Sequence, residues 1–154
     1  MTTVPEITPD QEERFWRKVD RQQACWRWTG STARGGYGIV YLGRQRAHAH
    51  RVAYRIAIGP VSGEAVVDHR CFNHDCVNPD HLRLVTAKQN SEHRRGAQRN
   101  SVTGIRGVMF RKGKYEARVR HKGCSHYGGR FASASEAEVA VKALRARLFT
   151  HDDE

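Results

Sequence analysis

The chain has 154 residues, a formal net charge of +11 and 38% hydrophobic residues. This hydrophobic content lies below the roughly 45–50% of ordinary soluble domains, which argues against a large apolar core, and no run of about 18 apolar residues exists that could span a membrane. The charge predicts a polyanionic partner. Because the first residues lack a signal-peptide pattern, we expect an intracellular, cytoplasmic protein whose clustered cysteines bind metal or act chemically.

Three helix starts carry one capping signature, in which a hydroxyl residue precedes the first turn and Gln or Glu follows three positions later. These hydroxyl residues are Thr8, Thr86 and Ser133. The first predicted helix carries Pro9 at its first position, where the missing N–H costs nothing, and it runs to about Val19. The third is predicted to run to about Phe149, with apolar residues along one face.

Short strands and turns are predicted between the first two helices. The Gly-Gly pair at 35–36 is a turn signal, and strands are predicted over residues 37–42 and 65–69. Residues 50–58 lack strict alternation and end at a Gly-Pro pair, which favours a short helix.

Nearly all of the excess charge lies between Arg94 and Arg130, where eleven Lys or Arg residues face one acidic residue, Glu116. The segment 94–100, RRGAQRN, is the best candidate for a linker. After it, residues 115–120 alternate between apolar and polar, which predicts a strand with one buried and one exposed face. A solvated basic face is one interpretation, and nucleic-acid contact is the one that we favour.

The cysteine pattern predicts a metal site. Cys71, Cys76 and His81 are each five residues apart, so one loop can wrap them around a tetrahedral Zn²⁺ ion. A closed site needs a fourth ligand, for which Cys25 is the best candidate, whereas Cys124 lies in the other predicted lobe. Two buried free thiols or a Cys71–Cys76 disulfide are the alternatives.

His69 lies just before this loop at the predicted end of a strand, and Asn90 follows in the first turn of a capped helix. A strand–loop–strand–helix unit would bring the two side chains together. A histidine can take a proton from water, a carboxamide can hold Mg²⁺ through its oxygen, and Asp68 is a natural second oxygen ligand. A lone Asp-His pair is more often structural, so that alternative stays open.

Residues 25–90 resemble HNH endonucleases of the ββα-metal class, especially the phage and homing type. The matching motifs are CWRWTG at 25–30, GYG at 36–38, AHRVAY at 49–54, GP at 59–60, VVDH at 66–69, C-x4-C-VNPDHL at 71–82 and VTAKQN at 85–90. Ordered matches of this kind are more specific than any single motif. The resemblance implies an α+β fold, with a ββα-metal nuclease lobe over residues 8–95 in a phage or bacterial host.

The resemblance also implies a role for each matching residue. His69 is the general base that activates water, while Asn90, joined by Asp68 in relatives with Asp-His, binds the catalytic Mg²⁺ or Mn²⁺ ion. Asn78 braces the fold by hydrogen bonding. Structural zinc is held by Cys25, Cys71, Cys76 and His81.

For three other histidines the resemblance implies no catalytic or metal-binding role. His50 matches the family pattern, but a helix-start histidine satisfied by the backbone is an equal interpretation. His74 and His93 are expected at the surface.

Residues 100–149 resemble the plant ethylene-response-factor type of DNA-binding domain, three antiparallel strands packed on one helix. The similar pieces are GIRGVMFRKGKYEARVRHKG at 104–123 and YGGRFASASEAEVAVKAL at 127–144. We therefore expect a second domain at 100–150 after a linker at 96–99. Met109 and Phe110 depart from the expected first strand. Because that family's outer sheet face enters the major groove, the resemblance implies DNA contacts from Arg106, Arg111, Lys114, Arg118, Arg120 and Arg130.

The expected function is hydrolysis of phosphodiester bonds in double-stranded DNA, leaving a 5′-phosphate and a 3′-hydroxyl. One active site per chain fits a nickase, and a double-strand cutter needs two chains or two events, so a monomer and a homodimer are both open. The alternative is a non-catalytic DNA-binding regulator that keeps a zinc-stabilised fold. Retention of both His69 and Asn90 favours the enzyme. An RNA-binding module ranks last, because the sheet shows no pair of exposed aromatic residues for stacking bases.

Overall fold

The structure is a computed structural model that describes residues 3–61, 63–93, 96–98 and 100–149. The chain divides into two compact units, residues 1–88 and 89–154. Of the boundary positions expected from the sequence, Arg94, Arg95, Arg99 and Thr150 lie outside the described residues. Among the described residues, no helix has the length and apolar character needed to cross a membrane.

The first unit mixes helices with small antiparallel hairpins. Its elements are helix α1 (Pro9–Trp16), strands β1 (Val19–Asp20), β2 (Arg27–Trp28), β3 (Ile39–Leu42) and β4 (Gln45–His48), helix α2 (Ala49–Ala57), strand β5 (Val66–His69), a 3-10 turn (Pro79–His81) and strand β6 (Leu82–Val85). The pairs β1–β2, β3–β4 and β5–β6 each form a two-stranded antiparallel sheet.

Helix α1 begins where the capping signature predicts. The Thr8 hydroxyl accepts a hydrogen bond from the Gln11 N–H at 3.4 Å, and the Gln11 side-chain oxygen accepts one from the Thr8 N–H at 3.1 Å. The helix ends at Trp16 rather than near Val19, because Val19 pairs with Trp28 in the β1–β2 sheet. Strand pairing thus overrides the helical pattern at this end.

Other boundaries of the first unit lie within two residues of the prediction. The 35–36 turn is present, with both glycines at positive φ, 94° and 83°. Strand β3 begins at Ile39 and strand β5 at Val66. Helix α2 covers Ala49–Ala57, where a short helix over 50–58 is predicted.

The core of the first unit packs around two aromatic rings. Phe15 and Trp28 stack with ring centroids 5.0 Å apart, and Val52 and Val77 are buried beside them in the same cluster. The backbone at Gly38 lies so close to the Trp28 indole that a Cβ there would be 2.7 Å from Trp28 Cδ1. The glycine therefore lets the backbone meet the face of the indole.

The β5–β6 hairpin places the cysteine-rich loop. Its register pairs Val66 with Val85 at one end and His69 with Leu82 at the other. Residues 70–81 connect the His69 end, so His69 lies at the mouth of that loop.

The second unit is a three-stranded antiparallel sheet packed on one long helix. It follows helix α3 (Ala87–Glu92), which crosses the division between the units, and contains strands β7 (Val108–Arg111), β8 (Lys114–His121) and β9 (Cys124–Phe131) and helix α4 (Ala134–Leu148). The strand order is β7-β8-β9. Val108, Ala117, Val119, Val141 and Leu144 are buried between sheet and helix.

Helix α4 has the capping box that the sequence predicts. The Ser133 hydroxyl accepts from the Glu136 N–H at 3.3 Å, and the Glu136 carboxylate accepts from the Ser133 N–H at 3.1 Å. The helix ends at Leu148, one residue before the predicted end.

A β-bulge interrupts the pairing of β8 with β9. Ala117 pairs with Gly129 and the next residue, Arg118, pairs with Tyr127, so Gly128 is the extra residue. A Cβ on Gly128 would lie 2.7 Å from Leu144 Cδ1. Glycine thus lets the bulge fit against helix α4.

Candidate functional site

Four potential metal ligands meet in the first unit. Cys25 precedes β2, Cys71 and Cys76 lie in the loop after β5, and His81 ends the 3-10 turn. One ligand atom from each lies within 4.8 Å of the others. We call this set, Cys25, Cys71, Cys76 and His81, the Cys3His cluster.

The spacing of these atoms fits zinc. His81 Nδ1 lies 3.6 Å from Cys25 Sγ and 3.6 Å from Cys76 Sγ. Tetrahedral Zn²⁺, with bonds of about 2.3 Å to sulfur and about 2.0–2.1 Å to nitrogen, separates such ligands by roughly 3.5 Å. Three thiols and one imidazole are also a common structural zinc set.

The other interpretations of the cysteines are decided by the geometry. Cys71 and Cys76 are free thiols, so the disulfide alternative is wrong. Cys25 lies in the Cys3His cluster and supplies the fourth candidate ligand, while Cys124 is exposed on β9 in the second unit.

Burial disfavours the thiolate forms of two ligands. It is the largest cause that raises the pKa of Cys76 to about 12, and it also raises the pKa of Cys71. A metal cation supplies the positive charge that buried thiolates need.

Two asparagines hold the segments that carry the cluster. The Asn73 amide donates to Cys25 Sγ at 3.0 Å. Asn78 donates from its amide to the Ala24 carbonyl at 2.8 Å and accepts from the Asp80 N–H at 3.1 Å. Asn78 therefore joins the loop around Cys76 to the segment before Cys25.

His69 is buried at the end of β5, and one hydrogen bond determines its tautomer. Its Nε2 lies 3.0 Å from the Cys76 carbonyl oxygen. A carbonyl only accepts, so Nε2 carries the proton and Nδ1 of the neutral ring keeps its lone pair. Burial is the main cause that lowers the pKa of His69, which favours this neutral form.

Asp68 already has a cationic partner. Arg83, opposite it across the β5–β6 hairpin, lies with Nε 3.1 Å from Asp68 Oδ2, and both side chains are largely buried. The carboxylate fits the oxygen preference of Mg²⁺, but any ion that it binds must share it with Arg83.

An aromatic cluster surrounds His69. We call Tyr37, His48, His50, His69 and His74 the histidine cluster. The ring of His50 lies 4.6 Å from that of His69, and Tyr37 stacks on His74 at 4.2 Å. This grouping is not predicted from the sequence, although the GYG and AHRVAY motifs contain two of its residues.

The individual histidines differ in environment. Burial is the largest cause that lowers the pKa of His50 well below its usual value, and the Nδ1 atom of His50 has no hydrogen-bond partner within the described chain. His74 is exposed as expected and donates from Nδ1 to the Gly35 carbonyl at 2.8 Å. The expectation that His93 is a surface residue is wrong, because it is buried where α3 ends.

Asn90 lies on helix α3, which follows strand β6 directly. The predicted order of strand, loop, strand and helix is therefore present. Asn90 itself falls within the second unit.

Of the predicted DNA contacts, five occupy one side of the sheet. The register places them together with Met109, Glu116, Ser125 and Tyr127 on the side opposite helix α4, which we call the outer face. They are Arg111, Lys114, Arg118, Arg120 and Arg130.

Arg106 differs from this group. It precedes β7, donates from Nη2 to the Glu92 carbonyl at 2.8 Å and lies 5.7 Å from the Phe149 ring. Its side chain thus takes part in holding the second unit together.

Glu116 also departs from the expected exposed polar face. Only 7% of it is accessible, because Arg118 and Arg130 cover its carboxylate, with Nε atoms at 3.3 Å and 3.5 Å.

Comparison with known families identifies one part of the chain. Residues 47–92 match the family model described as HNH endonuclease. This segment contains α2, the β5–β6 hairpin and α3. The match shows an HNH endonuclease domain, which implies a nuclease or DNA-binding role.

Two proteins of Escherichia phage T7 are similar in sequence. Protein 7.7 is 41% identical over 68 residues, covering 44% of this chain and 52% of that protein. Protein 2.8 is 38% identical over 69 residues, covering 44% of this chain and 46% of that protein. This chain thus spans about half the length of these relatives. No solved structure matches significantly.

Proposed function

We propose that this protein is an HNH endonuclease of the phage and homing type, which hydrolyses phosphodiester bonds of double-stranded DNA. The observation that carries the proposal is the state of His69. This histidine lies within the matched family segment, with Nε2–H held by a carbonyl and a free lone pair on Nδ1.

His69 acts as the general base. Its neutral Nδ1 accepts a proton from the water molecule that attacks the scissile phosphorus. The Cys76 carbonyl holds the opposite ring nitrogen at 3.0 Å, which fixes the ring and stabilises the positive charge that it gains. Because burial keeps the ring neutral before the reaction, the base is ready at neutral pH.

The catalytic ion in this proposal is Mg²⁺ or Mn²⁺, and its candidate oxygen ligands are those that the family resemblance implies, Asn90 and Asp68. When bound, such an ion offsets the negative charge that grows on the phosphate and the leaving oxygen. Arg83, with its Nε 3.1 Å from Asp68 Oδ2, orients the Asp68 carboxylate.

Zinc in the Cys3His cluster is structural in this proposal. Three thiols and one imidazole complete a tetrahedral set, and the cluster joins the loop beside His69 to the segment before β2. Cys76, as a ligand of that ion, would be restrained together with its carbonyl, which holds the ring of His69.

The outer face of the second unit supplies the DNA contacts. It carries Arg111, Lys114, Arg118 and Arg120, which suit phosphate and base edges. The resemblance to ethylene-response-factor domains supports this assignment through the observed arrangement of three strands and one helix.

The test is cleavage of supercoiled plasmid with Mg²⁺ by the native full chain and by His69→Ala. We expect the native protein to nick or linearise the plasmid and the variant to lose at least about a hundredfold in rate, since a general base contributes roughly 10²–10⁴-fold. His126→Ala removes a histidine from the second unit and serves as the matched control, with an unchanged rate.

Two outcomes would contradict the assignment. Equal cleavage by native protein and His69→Ala removes His69 as the base. Cleavage by neither protein, with tight duplex binding by both, supports the DNA-binding regulator instead.

A further inference from the structure

The β-bulge sets the composition of the outer face. Because Gly128 is the extra residue, Tyr127 comes opposite Arg118. Without the bulge, Gly128 would occupy that position and no ring would lie beside the guanidinium. The Arg118 guanidinium carbon lies 5.4 Å from the centroid of the Tyr127 ring, a distance typical of a cation–π contact.

A buried acid orders two of the arginines. The side chain of Glu116 is 9% accessible, and its carboxylate lies 3.3 Å from Arg118 Nε and 3.5 Å from Arg130 Nε. An acid on a DNA-binding face repels phosphate, so its burial between two cations requires an explanation. Positioning of those cations is the explanation that the contacts support.

Arg130 is used within the fold. Besides Glu116, its Nη2 reaches the carbonyls of Arg111 and Lys112 at 3.2 Å and 3.4 Å, in the turn between β7 and β8. With these atoms engaged, Arg130 braces the Glu116 carboxylate rather than reading DNA.

Arg118 is arranged differently. Its Nε donates to Glu116 and its guanidinium lies over Tyr127, while its Nη atoms make no hydrogen bond or ion pair with the described part of the chain. The side chain is 40% accessible. The guanidinium is therefore held from two sides, by Glu116 and by Tyr127, while its terminal nitrogens keep their donors for a ligand.

We propose that Arg118 reads a guanine in the major groove, and that Glu116, braced by Arg130, is the positioning residue that holds its fork. Guanine presents two acceptors there, O6 and N7, which match the two terminal nitrogens of arginine. The inference deepens the proposed function, because it rests on DNA binding by the outer face.

The experiment first selects the preferred duplex of the native full chain from random sequences, without added divalent ions. Binding is then measured with each guanine of that duplex replaced in turn by 7-deazaguanine, which lacks N7. We expect one guanine whose replacement weakens native binding about tenfold or more. In Arg118→Met this sensitivity disappears, because the methionine side chain keeps an apolar stem but has no N–H to donate to N7 or O6.

Two variants test the positioning. Glu116→Gln should reduce the sensitivity to 7-deazaguanine while the salt dependence of binding, which counts phosphate contacts, stays unchanged. Tyr127→Leu, at an exposed position where folding is not at risk, should also reduce the sensitivity to 7-deazaguanine. Lys142→Gln on α4 removes one charge outside the outer face and should leave both quantities unchanged.

Several results would overturn the proposal. They are a native protein without guanine preference, sensitivity that persists in Arg118→Met, and full sensitivity in Glu116→Gln and Tyr127→Leu. Loss of affinity in Arg118→Met that is uniform over sequences would make the residue a phosphate contact. Failure of plasmid cleavage with guanine preference intact would defeat the nuclease proposal alone.

Discussion

Single hydrogen bonds determine what the side chains near His69 can do. The Cys76 carbonyl makes Nε2 of His69 the protonated nitrogen, and Arg83 keeps Asp68 paired across the hairpin. Neither constraint is visible in the residue types, because each depends on which partner the fold supplies. At this scale the site holds a neutral histidine next to a carboxylate that is paired with arginine.

A glycine beside the indole provides a test at the same scale. Gly38→Ala should destabilise the first unit by about 1–3 kcal/mol, the usual cost of overpacking, because the added Cβ would lie within 2.9 Å of Trp28 and Ala49 atoms. Urea unfolding followed by tryptophan fluorescence measures the change.

Gly63→Ala is the matched control. A Cβ there meets no atom within 4 Å, and the backbone is outside the left-handed region. The urea concentration at which half of this variant unfolds should stay at the native value or rise slightly. Equal losses in both variants would show that close packing at Gly38 is not the cause.

Helices and hairpins carry the functional groups to their places. The β5–β6 hairpin brings His69 to the mouth of the cysteine-rich loop, and the bulge in β9 brings Tyr127 to the outer face. Helix α4 covers the opposite side of that sheet. The register of each pair of strands thus decides which side chains lie at the candidate site.

The cap of helix α4 can be tested directly. Ser133→Ala removes the hydroxyl that accepts from the Glu136 N–H, so we expect a loss of about 1 kcal/mol in the stability of the second unit. Thermal unfolding followed by circular dichroism reports it. Ser133→Asp retains an acceptor and should remain near the native value; a similar loss in both variants would disprove the capping argument.

Sequence patterns predicted the elements better than their ends. The capping boxes at Thr8 and Ser133 depend on neighbouring residues only, and both are confirmed. The end of α1 depends on Val19 pairing with Trp28, a distant contact that helical periodicity does not contain. Likewise, alternation in β8 indicated an exposed Glu116, whereas two arginines bury it.

The same division holds for the candidate site. The five-residue spacing indicated three metal ligands, and a motif pointed to the fourth, Cys25, now found beside them. The histidine cluster was missed because Tyr37 and His50 are far from His69 in sequence. Their proximity results from the packing of hairpin against helix.

At the scale of the whole molecule, the metal ligands and most of the excess charge belong to different units. The Cys3His cluster lies in residues 1–88, while most of the net positive charge lies in residues 89–154. A change in the cluster should therefore affect the first unit before the second.

Metal content provides the corresponding test. We expect one zinc ion per native chain and none in Cys76→Ser, with the first unit unfolding at a lower urea concentration because structural zinc contributes to folding free energy. Plasma emission spectrometry and tryptophan fluorescence measure the two effects. Cys124→Ser, an exposed cysteine outside the cluster, should keep the zinc. Native protein without zinc would refute the assignment.

The four ligands of the Cys3His cluster are unevenly distributed along the chain. Three fall within residues 71–81, but Cys25 precedes the first of them by 46 positions. An ion bound by all four acts as a cross-link that closes this long loop. By chain-entropy arguments, a link over such a loop lowers the conformational entropy of the unfolded chain, which is equivalent to about 4 kcal/mol while the ion stays bound. Through the distant cysteine, the ion thus closes a loop that the three ligands within residues 71–81 could not close by themselves.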